Sequence, residues 1–433
     1  MARLFGTDGV RGRVGDAITP ELALSLGRAA TEAAGAKRPQ VVIVRDTRES
    51  GPMLESALAA GIAEAGVDAF LAGVLPTPAA SVLVRRHALD LAAVVSASHN
   101  PWEDNGIKFF GPDGRKLQDA AEERIEELVA GSSEAPSAGR VRDLEGALDD
   151  YVRELTSRFQ LDLSGVRVML DCANGAAYRA APLAFERLGA TVEVIADEPD
   201  GRNINAGCGS THIEALGERI RESDASIGFA FDGDADRVLA VDGNGRVHDG
   251  DELIALGARH LREAGALPGV AVTVMTNYGF HQAMAEENIE VATTKVGDRY
   301  VIEELLERDW PFGGEQSGHI IWTDFAPTGD GIAAALLAMT ALAGRDLAEV
   351  EPFERLPQRL ENLEIPSRDA LDGAKGLWDG VEKESGGLEG RGRVLVRPSG
   401  TEPLVRIMVE APSTQECDEV LERLLQIARR ELG

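Results

Sequence analysis

The stretch Leu91-Ala92-Ala93-Val94-Val95-Ser96-Ala97-Ser98-His99-Asn100-Pro101 frames the whole chain. Its first five residues are an apolar run that reads as a buried strand. The run stops at hydroxyls, an imidazole and a proline. Pro101 fixes its own φ and disfavours helix at Asn100, so the strand predicts a fixed polar loop at its carboxyl end. In open α/β sheets, functional groups gather beyond the carboxyl ends of strands. The stretch therefore predicts α/β architecture with the chemistry at strand ends. A serine hydroxyl is a poor nucleophile alone. Ser98 becomes a competent phosphate carrier only if a cation and a base lie nearby.

The same pattern recurs along the chain. Short apolar runs at 41–44, 67–71, 166–170, 227–231 and 270–275 read as strands, and 55–65, 177–188, 253–261 and 332–342 as helices. The alternation predicts an α/β chain. Gly131 to Gly139 has linker composition, Gly243 to Gly250 is a glycine- and aspartate-rich turn, and a further break falls between Pro352 and Pro366. These breaks predict domains over 1–138, 139–247, 248–357 and 358–433. The last is small but within the size of known domains.

Bulk properties exclude several classes. The chain has 433 residues, 44% of them hydrophobic and 27% charged, as expected of a soluble globular protein. A net charge of −29 argues against nucleic acid and anionic membrane surfaces as partners. Cys172, Cys208 and Cys417 are scattered, with no Cys-x-x-Cys pair. Neither a zinc site nor a disulfide framework is expected, and a reducing cytoplasm is the default. The N-terminal residues hold no apolar core of signal-peptide length, and no window approaches 18 continuous apolar residues.

Four further stretches carry chemistry. Asp232-Gly-Asp234-Ala-Asp236-Arg237 places three carboxylates at alternate positions after an apolar strand. Extended chain would point all three the same way, and such hard oxygen ligands suit Mg²⁺. Arg237 could pair with a phosphate or a neighbouring carboxylate. An acidic surface turn is the plain alternative. A calcium-loop reading fails, because its sixth position is Arg237 and its twelfth Gly243. An aspartyl phosphatase nucleophile would leave Ser98 and His99 without a task.

Arg397-Pro-Ser399-Gly400-Thr401-Glu-Pro403, with Arg406 beyond it, has the composition of a phosphate grip. An ordinary turn between two strands explains it equally well when taken alone. Gly313-Gly-Glu315-Gln316-Ser317-Gly-His319 offers donors and acceptors suited to sugar hydroxyls or an amino group, or is a loop with a solvated glutamate. Gly6-Thr7-Asp8-Gly9-Val10-Arg11-Gly12 brackets an arginine with glycines and is weak evidence by itself. Lys108 is one of only six lysines. Alone it reads as a surface residue. Near a phosphoserine it could serve as general base or charge stabiliser.

Together these motifs resemble the α-D-phosphohexomutase superfamily, in its order and over nearly the whole chain. Within it they are most similar to the branch acting on glucosamine phosphate. The resemblance implies three similar α/β sheet domains and a smaller C-terminal α+β domain around a central cleft. It implies that Ser98 is carried as phosphoserine. Mg²⁺ would be held by Asp232, Asp234, Asp236 and a phosphate oxygen on Ser98. The reaction would interconvert glucosamine 6-phosphate and glucosamine 1-phosphate through glucosamine 1,6-bisphosphate, on the route to UDP-N-acetylglucosamine and the cell wall. Phosphoryl transfer rests mainly on positioning and charge neutralisation.

Under this reading Lys108, His99 and Arg11 attend the reacting centre, with Arg11 favoured for charge stabilisation because arginine is a poor proton carrier. Glu315, Ser317 and His319 would read the sugar. Arg397, Ser399, Gly400, Thr401 and Arg406 would hold the second phosphate, and Arg237 the first. At −29 the chain repels a sugar phosphate, so Arg11, Lys108, Arg237, Arg397 and Arg406 must make the cleft locally positive. Mannose or glucose phosphate is the runner-up substrate, with Gln316 as the main discriminator. A sugar phosphate hydrolase and a catalytically dead sensor are the other classes weighed. Asn174 reads as a turn residue, and Asp298 and Arg299 receive no role.

Overall fold

The structure, a computed structural model, describes residues 3–6, 8–35, 39–131, 137–265, 267–365, 369–398 and 404–432. The chain divides into two compact units: Met1–Met275 with Ile289–Pro352, and Thr276–Asn288 with Phe353–Gly433.

The first unit contains three sheets. In the first, the strand order is Val10–Arg13, Asp104–Phe110, Leu91–Val95, Val41–Arg45, Ala69–Val74, Val141–Asp143. The last four strands run parallel to one another, while Asp104–Phe110 is antiparallel to both its neighbours. All five residues of Leu91–Val95 are buried, as a β-branched and alanine-rich central strand should be. The helices Pro20–Ala33 and Gly51–Glu64 cross against each other on this sheet. A Cβ on Gly61 would lie 1.9 Å from the Leu24 carbonyl, so only glycine permits that crossing.

The second sheet orders Val247–His248, Val238–Asp242, Ile227–Phe231, Arg167–Asp171 and Thr191–Ile195. Ile227–Phe231 is buried along its whole length and delivers Asp232 at its carboxyl end. The third sheet orders Glu290–Thr294, Gly269–Thr273, Phe312–Gly314 and Ile320–Trp322. A buried apolar strand side chain contributes about 1.5–3 kcal/mol. These strands are therefore stable bases, and the loops at their ends have fixed origins.

The second unit is a three-stranded antiparallel sheet, Gln358–Glu364, Leu404–Glu410 and Arg393–Pro398, covered by the helices Lys375–Gly387 and Thr414–Leu432. Leu377, Val405, Ile407, Val409 and Leu424 form its core. The helix Tyr278–Glu286 is tied in by Glu410, whose carboxylate accepts the Tyr278 N–H at 3.0 Å. Three α/β sheets and a small α+β unit are the fold class expected from the sequence. Cys172, Cys208 and Cys417 are buried and form no disulfide. Among the described residues, no helix is long and apolar enough to cross a membrane.

Candidate active site

Ser98 sits at the end of the buried strand Leu91–Val95 with φ +51°, in the left-handed region that costs a non-glycine residue about 1 kcal/mol or more. Its surroundings over-determine it. The Ser98 N–H donates to Ser96 Oγ at 3.0 Å, and Ser96 Oγ donates to Asp46 Oδ2 at 2.7 Å. The Ser98 carbonyl accepts from Arg48 Nη2 at 2.8 Å and Asn205 Nδ2 at 2.9 Å. Arg48 is fully buried. It also donates to Asp46 Oδ2 at 2.8 Å and to the carbonyls of Asn100, Pro101 and Asp104. The hydroxyl is thereby aimed outward. It donates to Asp232 Oδ2 at 2.6 Å and lies 3.2 Å from His99 Nδ1. Burial, followed by Arg237 and Arg11, pushes the His99 ring down towards its neutral form.

Asp232, Asp234 and Asp236 are all buried, and each offers a carboxylate oxygen within 4.8 Å of the others. They converge through a turn rather than through the extended alternation expected from the sequence. The Ala235 N–H returns to the Asp232 carbonyl at 3.0 Å, and Ala235 has φ +57°. The intervening Gly233 lets the two loops meet: a Cβ there would lie 2.6 Å from the Ser98 carbonyl. Three buried carboxylates repel one another. Burial, then Asp236 and Asp234, pushes Asp232 well above the ordinary carboxylate range. Asp234 Oδ1 and Asp236 Oδ1 are buried without a hydrogen-bond donor. Orphaned oxygens in a trio of hard ligands fit a divalent cation.

The fit predicts opposite effects from one substitution. Asp232→Asn should raise the melting temperature of metal-free protein by ~2 °C or more, because it removes like-charge repulsion. It should also shrink the stabilisation by Mg²⁺, which at a hundredfold excess over Kd is about 2.7 kcal/mol for intact binding. Thermal melts with and without the ion read both. An undiminished Mg²⁺ response in the variant would refute the ligand assignment.

Lys108 reaches this cluster from the neighbouring strand, where it pairs in register with Val94. Its Nζ donates to Asp234 Oδ2 at 2.9 Å and lies 3.6 Å from Asp8 and 3.8 Å from Asp236. Burial opposes its charge, but Asp234, Asp8 and Asp236 prevail and hold it above the ordinary lysine range.

A cleft of about 920 Å³ opens over these groups. Arg11, Ser98, His99, Asp236, Arg237, Glu315, Gln316, Ser317 and His319 all line it, so four separate sequence motifs meet there. Glu315 Oε1 accepts the Gly297 N–H at 3.0 Å, which ties the loop before the helix Asp298–Arg308 to the Gly313–His319 loop. His319 Nε2 accepts the Gly329 N–H at 3.2 Å, and its Nδ1 faces Asp236 Oδ1 at 3.7 Å. Burial opposes a charged ring there, but Asp236 and Asp298 prevail and hold it above the ordinary histidine value.

Arg397 and Arg406 lie directly opposite each other on paired strands of the second unit. Burial and Arg406 together lower the Arg397 guanidinium from its ordinary value. Like charges in cross-strand register are unfavourable unless an anion joins them. Ser399, Gly400 and Thr401 lie outside the described residues.

Three groups in or behind the cleft carry no motif in the sequence. Arg48 reads as one more charge in Arg45-Asp46-Thr47-Arg48. Lys116 donates to both Asp8 Oδ1 and Asp298 Oδ2. Arg299 joins Asp119 and lies 3.5 Å from Glu122.

Four family models cover the chain: phosphoglucomutase/phosphomannomutase alpha/beta/alpha domain I over residues 2–136, domain II over 149–245, domain III over 249–359, and the C-terminal domain over 359–427. The chain belongs to the phosphoglucomutase/phosphomannomutase family and is an isomerase of the phosphohexomutase class. Among curated relatives it is 50% identical over 442 residues to the phosphoglucosamine mutase of Desulforudis audaxviator, spanning 99% of this chain and 98% of that one. It is also 50% identical over 424 residues to the phosphoglucosamine mutase of Mycolicibacterium gilvum, spanning 95% of each. A solved phosphoglucomutase/phosphomannomutase family protein from Burkholderia thailandensis shares the fold at TM-score 0.83 and 24% identity, covering 100% of this chain and 98% of that one. So does the Aspergillus fumigatus N-acetylphosphoglucosamine mutase solved with GlcNAc-6P and magnesium, at TM-score 0.66 and 19% identity, covering 99% and 96%.

Proposed function

We propose that this chain interconverts glucosamine 6-phosphate and glucosamine 1-phosphate, as a phosphoglucosamine mutase, with Ser98 as the phosphoryl carrier. The observation that carries the reading is the position of Ser98: lining the cleft on a strained backbone, its Oγ 2.6 Å from Asp232 of a cluster of three buried carboxylates. Relatives of this activity at 50% identity over nearly the full length support the substrate.

Each half-reaction breaks one P–O bond and forms another. The bond at Ser98 Oγ breaks as the phosphoryl group joins a sugar hydroxyl, and the hydroxyl proton ends on Oγ. Glucosamine 1,6-bisphosphate then turns over in the cleft and returns its other phosphoryl group to Oγ. His99, neutral and 3.2 Å from Oγ, is placed to relay that proton. Lys108 is held charged and paired, so its part is electrostatic. Arg11 and Arg237, which line the cleft, neutralise phosphate oxygens. Asp232, Asp234 and Asp236 would hold Mg²⁺, whose charge screens the transferring phosphoryl group. Glu315, Ser317 and His319 face the sugar. Arg397 and Arg406, with Ser399, Gly400 and Thr401 of the same motif, are assigned to the phosphate that does not react.

Coupled assays with glucosamine, mannose and glucose phosphates test the reading. Glucosamine phosphate should be turned over with the highest kcat/KM and without steady release of inorganic phosphate. A preference for mannose or glucose phosphate, or continuous phosphate release, would replace it with another mutase or a hydrolase.

A further inference from the structure

A bisphosphate that turns over between two half-reactions must be held while both of its phosphates change places. Hydrogen bonds cannot do this. They weaken steeply away from their preferred angle, so Glu315 and Ser317 must release one set of hydroxyls before they take another. Burial of apolar surface has no direction and survives a rotation. A pyranose offers such surface in the C–H bonds of its ring faces.

The cleft wall is largely charged or polar, yet two large apolar side chains stand exposed on it: Val296 at 43% and Tyr300 at 40%. Of the seven exposed large apolar side chains among the described residues, only these two line the cleft. Both belong to one short stretch, the loop that enters the helix Asp298–Arg308 and its first turn. An aromatic ring open to a polar cleft marks a surface built to be covered.

Tyr300 is not part of the core of its own helix. Val301 and Leu305 are completely buried and, four positions apart, share the face that packs inward. Tyr300 precedes Val301 by one position, about 100° around the helix, and so lies off that face.

The ring is nevertheless held. The Tyr300 N–H donates to the Gly297 carbonyl at 3.0 Å. Its edge lies against Gly297, where a Cβ would come within 3.4 Å of Tyr300 Cδ2. The Lys295 ammonium sits 5.8 Å from the ring centre, within range of a cation–π contact. Gly297 in turn donates its N–H to Glu315 Oε1 at 3.0 Å. The ring is thereby tied to the loop assigned to the sugar hydroxyls.

We propose that Tyr300, with Val296, is the apolar surface on which the sugar ring rides while the bisphosphate turns over. The proposal rests on the mutase reading above and assigns retention of the intermediate to residues outside the recognised motifs. The charged groups of the cleft bind each orientation, and the ring keeps the sugar from escaping between them.

The test is a single turnover. Protein carrying labelled phosphate on Ser98 is mixed with glucosamine 6-phosphate. Label that leaves as free bisphosphate has escaped, and label that leaves as glucosamine 1-phosphate has completed the rotation. The wild type should give nearly all of the second. Tyr300→Ala should raise the ratio of escape to completion about 10-fold or more. Tyr300→Phe, which keeps the ring, should hold that ratio within about threefold of the wild type. An unchanged ratio in Tyr300→Ala would overturn the proposal, and so would an equal rise in Tyr300→Phe, which would assign the effect to the hydroxyl. A wild type that forms no labelled glucosamine 1-phosphate would overturn the mutase reading itself. Thermal melts establish that Tyr300→Ala is folded. If it is not, Val296→Ser decides: the ratio should rise at least about threefold, and no rise would overturn the proposal.

Discussion

Ser98→Ala is expected to lower turnover at least about a thousandfold while the protein remains folded. The substitution removes one hydroxyl from a residue whose backbone is held by other groups. Ser96, Arg48 and Asn205 all bind the Ser98 main chain, and none needs its Oγ. The left-handed φ at Ser98 costs alanine about what it costs serine. Stability should fall only by about 1 kcal/mol, for the donor lost by buried Asp232. Two measurements separate a lost carrier from a damaged site. Intact mass of the wild type should show one added phosphoryl group that maps to Ser98 and is missing in the variant. Glucosamine 1,6-bisphosphate should restore activity to dephosphorylated wild type and not to Ser98→Ala. Normal turnover by the variant would end the phosphoserine mechanism.

The two strands that carry the chemistry were readable because their signals are local. Leu91–Val95 and Ile227–Phe231 are unbroken apolar runs that stop at conspicuous polar loops, and both are buried central strands. Asp104–Phe110 was not readable as a strand. Its sequence, Asp-Asn-Gly-Ile-Lys-Phe-Phe, includes residues that disfavour strands, and it forms by pairing on both sides with stronger neighbours. That pairing carries Lys108 to Asp234, 126 positions away. Lys116 and Asp298 meet across 182 positions, and no local pattern encodes such a pair. The three aspartates were legible as ligands, yet the way they converge was not. Extended alternation and a tight turn give the same spacing in sequence, and only the Ala235 backbone distinguishes them.

Arg48→Met should cost about 3–5 kcal/mol and a large part of the activity, although Arg48 does not line the cleft. Its guanidinium is the sole charged group hydrogen-bonded to the Asp46 carboxylate among the described residues, and both side chains are fully buried. It also satisfies the carbonyls of Ser98, Asn100, Pro101 and Asp104, which otherwise lose a donor in a dry interior. Losing the Arg48 contact frees the Ser98 backbone to leave its strained conformation, so kcat should fall further than stability alone explains. The pH dependence gives the mechanism a sign. Burial already raises the Asp46 carboxyl above its ordinary value, with Arg48 and Ser96 opposing. Without Arg48 the folded-state value rises further, while the unfolded value stays near 3.8. A folded-state value above the unfolded one means that stability is retained at low pH and lost as pH rises through that interval. Arg48→Met should therefore lose ground to wild type between about pH 4 and neutrality. Adding Asp46→Asn removes the buried charge, so the double variant should regain part of the loss and flatten its pH dependence. Denaturant unfolding of the four proteins across that range measures the coupling. A strictly additive cycle, or a single variant whose deficit is independent of pH, would show that Arg48 supports the loop by packing and not by charge.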